Sequence, residues 1–348
     1  MTSMFIYLSI FFLAFLGILL PRRNHEVYLL LLCVILLFFV GLRFEIGGDW
    51  SNYLFRYRLM HYSPNYLSTF SIAEPGYAFL NYYIGGKTPM AYINFICAFF
   101  LFLGLFVYLK DQPNPMFSLL IALPYMIFVN GMGYTRQATA LGFILLALFY
   151  IANRRFIAFI FFIICAAMFH KTALIILAIL PFYFIDEKNL KKFLPLIIVG
   201  AVLFFISISK LNNLFEAYGE DSTFESGGGL YRHIMNAIPS ILFLLNLNFF
   251  KKAVPKYFTV LFYLAIGSLF LLLVSFKLST FSDRLGQFFA IIQISVWPIF
   301  LSKFSLRDRI PLGLLIISFY LIFMIYWFQN SEFSKCCWIN YKNYLFLN

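Results

Sequence analysis

Long apolar runs separated by short polar punctuation set the rhythm of this chain. They fall at roughly 4–20, 27–42, 91–109, 116–135, 137–152, 156–169, 172–185, 193–209, 234–250, 257–276, 285–302 and 310–328. A helix needs about 20 apolar residues to cross a bilayer, so the pattern predicts about twelve membrane-spanning helices, the shorter ones relying on neighbours or on local bilayer thinning. No Asp, Glu, Lys or Arg lies inside a run. A charge at mid-bilayer costs about 2.5–3.5 kcal/mol on insertion scales, which confines polar chemistry to helix ends and loops. The first run has no basic residue ahead of it and no small-residue cleavage site behind it, so it is expected to stay as the first span.

Composition sharpens this picture. Of 348 residues, 63% are hydrophobic and 11% charged, too little charge to cover a water-soluble surface of that size. The fold expected is all-α, a single polytopic membrane domain over 1–348. Orientation follows from the excess of Lys and Arg in cytoplasmic loops. The alternate short connections, beginning with 21–26, hold 14 basic and five acidic residues, against 12 basic and nine acidic in the much longer remainder. The basic loops are therefore expected inside and both termini outside. Three long segments then face outward. They are 43–90, with a short surface helix around 74–84 whose Tyr77, Leu80 and Tyr83 recur at helical spacing, then 210–233, and the tail 329–348. No internal repeat is visible, unlike many secondary transporters.

Two features are set aside. Cys33, Cys97 and Cys165 sit in apolar runs as small hydrophobes, and adjacent Cys336 and Cys337 lack a partner pair at zinc-ligand spacing, so no metal is expected. Gly86-Lys87-Thr88 looks like the end of a phosphate-binding loop, but Asn81 stands where the first glycine belongs.

Chemistry gathers at the outward helix ends. The stretch from Arg43 through Glu45, Gly47-Gly48-Asp49-Trp50 and Tyr53 packs an arginine, two carboxylates, a glycine pair and aromatic rings against the membrane surface. It reads either as an interfacial anchor with a turn or as a head-group and sugar site. Arginine grips phosphate bidentately, glycine lets backbone approach a ligand, and rings stack on sugar faces. Arg136 joins two spans so tightly that it lies at the membrane boundary, on the side where positive charge is disfavoured; a snorkelling arginine is the plain alternative. His170-Lys171, Arg232-His233 and Asp283-Arg284 repeat that placing. Arg43, Arg136, Lys171, Arg232 and Arg284 are together expected to form a cationic ring suited to a lipid diphosphate.

Read in order, these segments resemble the EpsG-like family of Wzy-type oligosaccharide repeat-unit polymerases. The resemblance rests on Arg43, Gly47 or Gly48, Asp49 and Tyr53, then on Glu74-Pro75-Gly76-Tyr77. It continues with Arg136-Gln137 before Ala138 and Ala140, Phe169-His170 before Thr172-Ala173-Leu174-Ile175, and Asp283-Arg284-Leu285. Trp50 departs from the Tyr more usual after that Asp. The resemblance implies a glycosyltransferase with a polytopic helical, C-type fold in the inner membrane of a Gram-negative bacterium. It implies transfer of a growing glycan from its undecaprenyl diphosphate carrier onto the next lipid-linked repeat unit at the periplasmic face, as in O-antigen and lipopolysaccharide assembly. No cofactor, metal or nucleic acid is implied. The partners implied are the lipid-linked glycan, the bilayer and a membrane protein that regulates chain length.

Such a transfer asks chiefly for neutralisation of the charge developing on the diphosphate and for alignment of the acceptor hydroxyl, with a general base as helper. Asp49 and His170 are the candidate bases, with Glu45 behind them, and Arg136 the candidate catalytic cation. Arg43, Tyr53, Glu74, Lys171, Arg232 and Arg284 are candidate contacts to diphosphate and sugar. Two other classes stay open: a lipid-linked oligosaccharide flippase, which would share the cationic cavity, and a membrane O-acyltransferase, which would use a His near a span end.

Overall fold

The structure, a computed structural model, describes residues 2–85, 89–184 and 227–347. The chain divides into two compact units, one built from Met1–Ile176 and Gln293–Asn348, the other from Leu177–Ile292.

In the first unit, α1 (Thr2–Leu19) and α2 (His25–Gly41) are followed by a short strand β1 (Arg43–Phe44) and two helices outside the spans, α3 (Trp50–His61) and α4 (Pro75–Tyr83). Next come α5 (Met90–Leu109), α6 (Pro115–Ala122), α7 (Thr135–Ala152) and α8 (Phe156–Phe169). Local chemistry sets several boundaries. Asn114 caps α6 by accepting from Phe117 N at 3.2 Å, ahead of Pro115 in the first turn. After Ala122 the helix widens into a π-turn segment, Leu123–Gly131. Pro124 there has no N–H to offer the ordinary four-residue bond.

Helices α5 and α7 run in the same direction and touch backbone to backbone. A Cβ placed on Gly104 would lie 2.0 Å from the Gly142 carbonyl oxygen, so only glycine permits the approach. Lys110 Nζ lies 3.8 Å from Glu26 Oε1, which puts the first and second basic connections at one end of the unit. The parallel run of α5 and α7 brings Arg154 and Arg155 to that same end. Arg43, Glu74, Arg136 and His170 share the other.

The second unit holds a 3₁₀ segment continuing into α9 (Leu180–Phe184), then α10 (Gly229–Leu245), α11 (Leu247–Ala253), α12 (Phe258–Ser275) and α13 (Ser279–Phe289). Here α10 packs on α12 and α13. The chain closes with α14 (Ile291–Leu301), α15 (Leu306–Asn330), α16 (Glu332–Cys337) and β2 (Lys342–Asn343). Strand β2 pairs antiparallel with β1, Arg43 opposite Asn343 and Phe44 opposite Lys342. The outward tail expected at 329–348 is thus a folded part of the first unit.

The all-α, membrane-integral class stands, and the count of spans is coarser than expected. Among the described residues, five helices are long and apolar enough to cross a membrane, or seven when each of two bent pairs is taken as one span. The run expected at 234–250 bends by 88° between α10 and α11, and that at 285–302 by 45° between α13 and α14. Four shorter apolar helices occupy other expected positions. The run at 193–209, most of the loop at 210–233, and Gly86-Lys87-Thr88 lie outside the described residues.

Candidate functional site

The chain leaves α2 at Arg43 and turns sharply before α3. Glu45 and Gly47 both have positive φ, 54° and 111°. A Cβ on Gly47 would lie 2.4 Å from the Met132 carbonyl, so the turn needs glycine twice over, for its backbone and for space. Arg43 is 2% exposed. Its Nη1 donates to Val40 O at 2.7 Å, its Nη2 to Thr135 Oγ1 at 2.7 Å and its Nε to Ile46 O at 3.3 Å. Burial pushes the guanidinium pKa down to about 10, which still leaves it charged at neutral pH. The guanidinium is turned inward, where it holds the loop and the start of α7.

Asp49 stands at the N-cap of α3 and is half-buried, with Asn52 Nδ2 3.5 Å from its Oδ1. One turn on, Tyr53 is buried and its hydroxyl accepts from the backbone N–H of Arg136 at 3.5 Å. Burial raises the Tyr53 pKa; the Arg136 charge opposes that rise and the Asp49 charge adds to it. The phenol therefore stays protonated and lies within electrostatic reach of both candidate groups.

Glu74 is the N-cap of α4, with Pro75 in the first turn. Its carboxylate pairs with Nη1 of Arg136, and both side chains are largely withdrawn from solvent. Arg136 Nε is buried without a hydrogen-bond partner. Tyr77, 0% exposed, sets its ring edge-on to Tyr53 at 5.8 Å, and its hydroxyl also lacks a partner. The structure thus joins Tyr53, Glu74 and Arg136 through direct contacts, with Asp49 one helical turn before Tyr53, and Arg136 stands in an Arg–carboxylate pair.

His170 ends α8, half-buried, its Nδ1 2.6 Å from Thr172 Oγ1. Lys171 beside it is exposed. This helix end flanks the site, since Gly76 of α4 packs against Met168 and Phe169.

In the second unit, Arg232 is not an open cation either. Its Nε and Nη2 grip Asp283 Oδ1 and Oδ2 at 2.7 and 2.8 Å. His233 Nε2 lies 3.2 Å from Ser282 Oγ, and Asn236 Nδ2 donates to Gly286 O at 3.0 Å, fixing α10 on α13. Arg284 is exposed. Of the cations expected to form the ring, Arg43 donates to backbone and hydroxyl oxygens, while Arg136 and Arg232 are charge-matched by Glu74 and Asp283. A buried guanidinium left unmatched would cost several kcal/mol.

Sequence reasoning missed Thr135, which bridges Arg43 and Asn94 (Oγ1 3.5 Å from Asn94 Oδ1), and the tail residues that face β1. Thr135 was detectable as a hydroxyl at a helix start beside Arg136; the tail carried no local signal. Compared with known proteins, the chain matches the model of the EpsG family over residues 26–345. No curated protein and no solved structure matches it.

Proposed function

Because the chain belongs to the EpsG family, of the membrane polysaccharide-polymerase type, we propose that it joins undecaprenyl-diphosphate-linked oligosaccharide repeat units into a surface polysaccharide at the outer face of the inner membrane. The acceptor hydroxyl oxygen attacks the anomeric carbon of the donor glycan. The bond from that carbon to the diphosphate oxygen breaks, and the lipid diphosphate leaves with the electron pair. Asp49 takes the acceptor's proton. Arg136 stabilises the departing charge, and Glu74 holds the guanidinium ready until the phosphate displaces it.

The observation that carries this reading is the Arg136–Glu74 pair beside Tyr53, with Asp49 one helical turn away. A cation kept half-buried and matched by a displaceable carboxylate suits a diphosphate better than a neutral ligand. Two features support the outward assignment. The opposite end of the first unit carries Arg22, Arg23, Lys110, Arg154 and Arg155. The site end carries a Cys336–Cys337 disulfide, a bond that persists in oxidising compartments.

The test is the lipid-linked glycan profile of a deletion strain. One repeat unit per carrier lipid, exposed at the outer leaflet, is the expected result. Accumulation confined to the cytoplasmic leaflet would sink the polymerase reading and favour a flippase.

A further inference from the structure

The turn that carries Asp49 is clamped by the far end of the chain. Lys342 Nζ lies 2.7 Å from Glu45 Oε2. Tyr344 N donates to Leu42 O at 2.7 Å, and Gly47 N donates to Cys337 O at 2.9 Å. The tail also finishes α2, whose last carbonyls have no partner within the helix. Tyr341 Oη donates to Phe39 O at 2.8 Å and Asn343 Nδ2 to Phe38 O at 3.1 Å, while the Tyr341 ring stacks on Phe39 at 4.3 Å. Trp338 pegs the whole segment into the unit. It is buried, its indole Nε1 donates to Phe128 O at 2.8 Å, and its carbonyl accepts from Tyr7 at 3.0 Å.

Cys336 and Cys337 are joined by a disulfide. A bond between neighbouring residues closes a small ring through their shared peptide and restricts the turning of the backbone there. The ring fixes the backbone rotations on either side of that peptide, and so the position from which the next carbonyl, that of Cys337, reaches Gly47 N–H, two residues before Asp49.

We propose that this tail is a working part of the site, with Cys337, Trp338 and Lys342 as positioning residues for Asp49 and the Cys336–Cys337 bond as the latch that keeps them in place. The bond forms when two thiols give up two protons and two electrons to a disulfide-bearing oxidant, which leaves as a dithiol. Reduction returns both thiols, frees the backbone on either side of the Cys336–Cys337 peptide to turn, and lets the Gly47–Asp49 turn relax. Its rate readout rests on the polymerase reading above.

Alkylation and mass spectrometry of the peptide carrying both cysteines reads the bond whatever the activity; two alkyl groups added without reductant overturn the latch. The Cys336→Ser, Cys337→Ser protein is expected to lose about 10- to 100-fold in kcat on purified lipid-linked repeat units, with KM kept within about twofold. Wild type treated with a dithiol reductant is expected to show the same loss in kcat, and reoxidation to restore the rate. A serine variant as fast as wild type, or a loss in the reduced wild type that reoxidation leaves unrepaired, overturns the proposal. Should wild type itself not polymerise that lipid, the polymerase reading fails. Tryptic cleavage after Lys335 and Lys342 then decides the latch: about tenfold faster on reduction supports it, and an unchanged rate overturns it.

Discussion

At the residue scale the proposed chemistry rests on Arg136 and Glu74. An arginine at a membrane boundary is stable either by reaching water or by pairing with a carboxylate, and here it pairs, with Nε left buried and unbonded. In the proposed reaction that guanidinium exchanges Glu74 for the leaving diphosphate. Arg136→Lys keeps the charge but loses the planar fork, so it should retain only part of the polymerising activity that Arg136→Ala abolishes. Asp49→Asn separates charge from shape; if Asp49 is the base, the rate should fall about 10²–10⁴-fold with substrate binding largely kept. Both are measured on purified lipid-linked repeat units. Near wild-type rates for Asp49→Asn would move the base to His170 or leave catalysis to leaving-group stabilisation and alignment. Arg136 was visible in the sequence as a charge between two apolar runs, and Asp49, Tyr53 and Glu74 as polar residues of the long segment 43–90. Their pairings were not, because an arginine's partner depends on which helix ends meet in space.

At the scale of elements, helix pairs set the position of the site. Strand β1 follows α2, α7 starts at Thr135, and their separation is fixed by the packing of both helices on α5. The α5–α7 approach depends on Gly104 and Gly142. Gly142→Leu forces the two backbones apart and should destabilise the protein by about 3 kcal/mol, read as a lowered melting temperature in detergent; an unchanged melting temperature would contradict the close crossing. The surface helix expected at 74–84 exists as α4, where Tyr77 and Leu80 turn inward. Tyr83, at the same spacing, is 53% exposed because the helix ends there. Helix α3 had a legible signal in Asp49 ahead of it and Arg58 and His61 in its last turn, a charge order that suits the helix dipole.

On the scale of the whole molecule, the polar residues of the first unit sort to opposite ends. One end collects the short basic loops and the other collects the site and the tail. Sidedness is checked by single cysteines in an otherwise cysteine-free protein, labelled with an impermeant reagent in intact spheroplasts. Asn340→Cys is expected to label and Arg154→Cys to be protected; the reverse pattern overturns the outward placing of the site.

The spacing and purity of the apolar runs by themselves determined the membrane class, the sequence limits of most helices and the confinement of chemistry to their ends. Those properties arise residue by residue from the cost of exposing polar groups to lipid. Tertiary structure alone decided that Arg43 faces inward, that Arg136 and Arg232 carry matching carboxylates, that two expected spans are bent, and that the tail folds back onto the Asp49 loop. Each of these depends on contacts between segments far apart in the chain, such as Lys342 with Glu45 and Trp338 with Phe128. No local pattern records such a contact, because its energy exists only once both partners have been brought together.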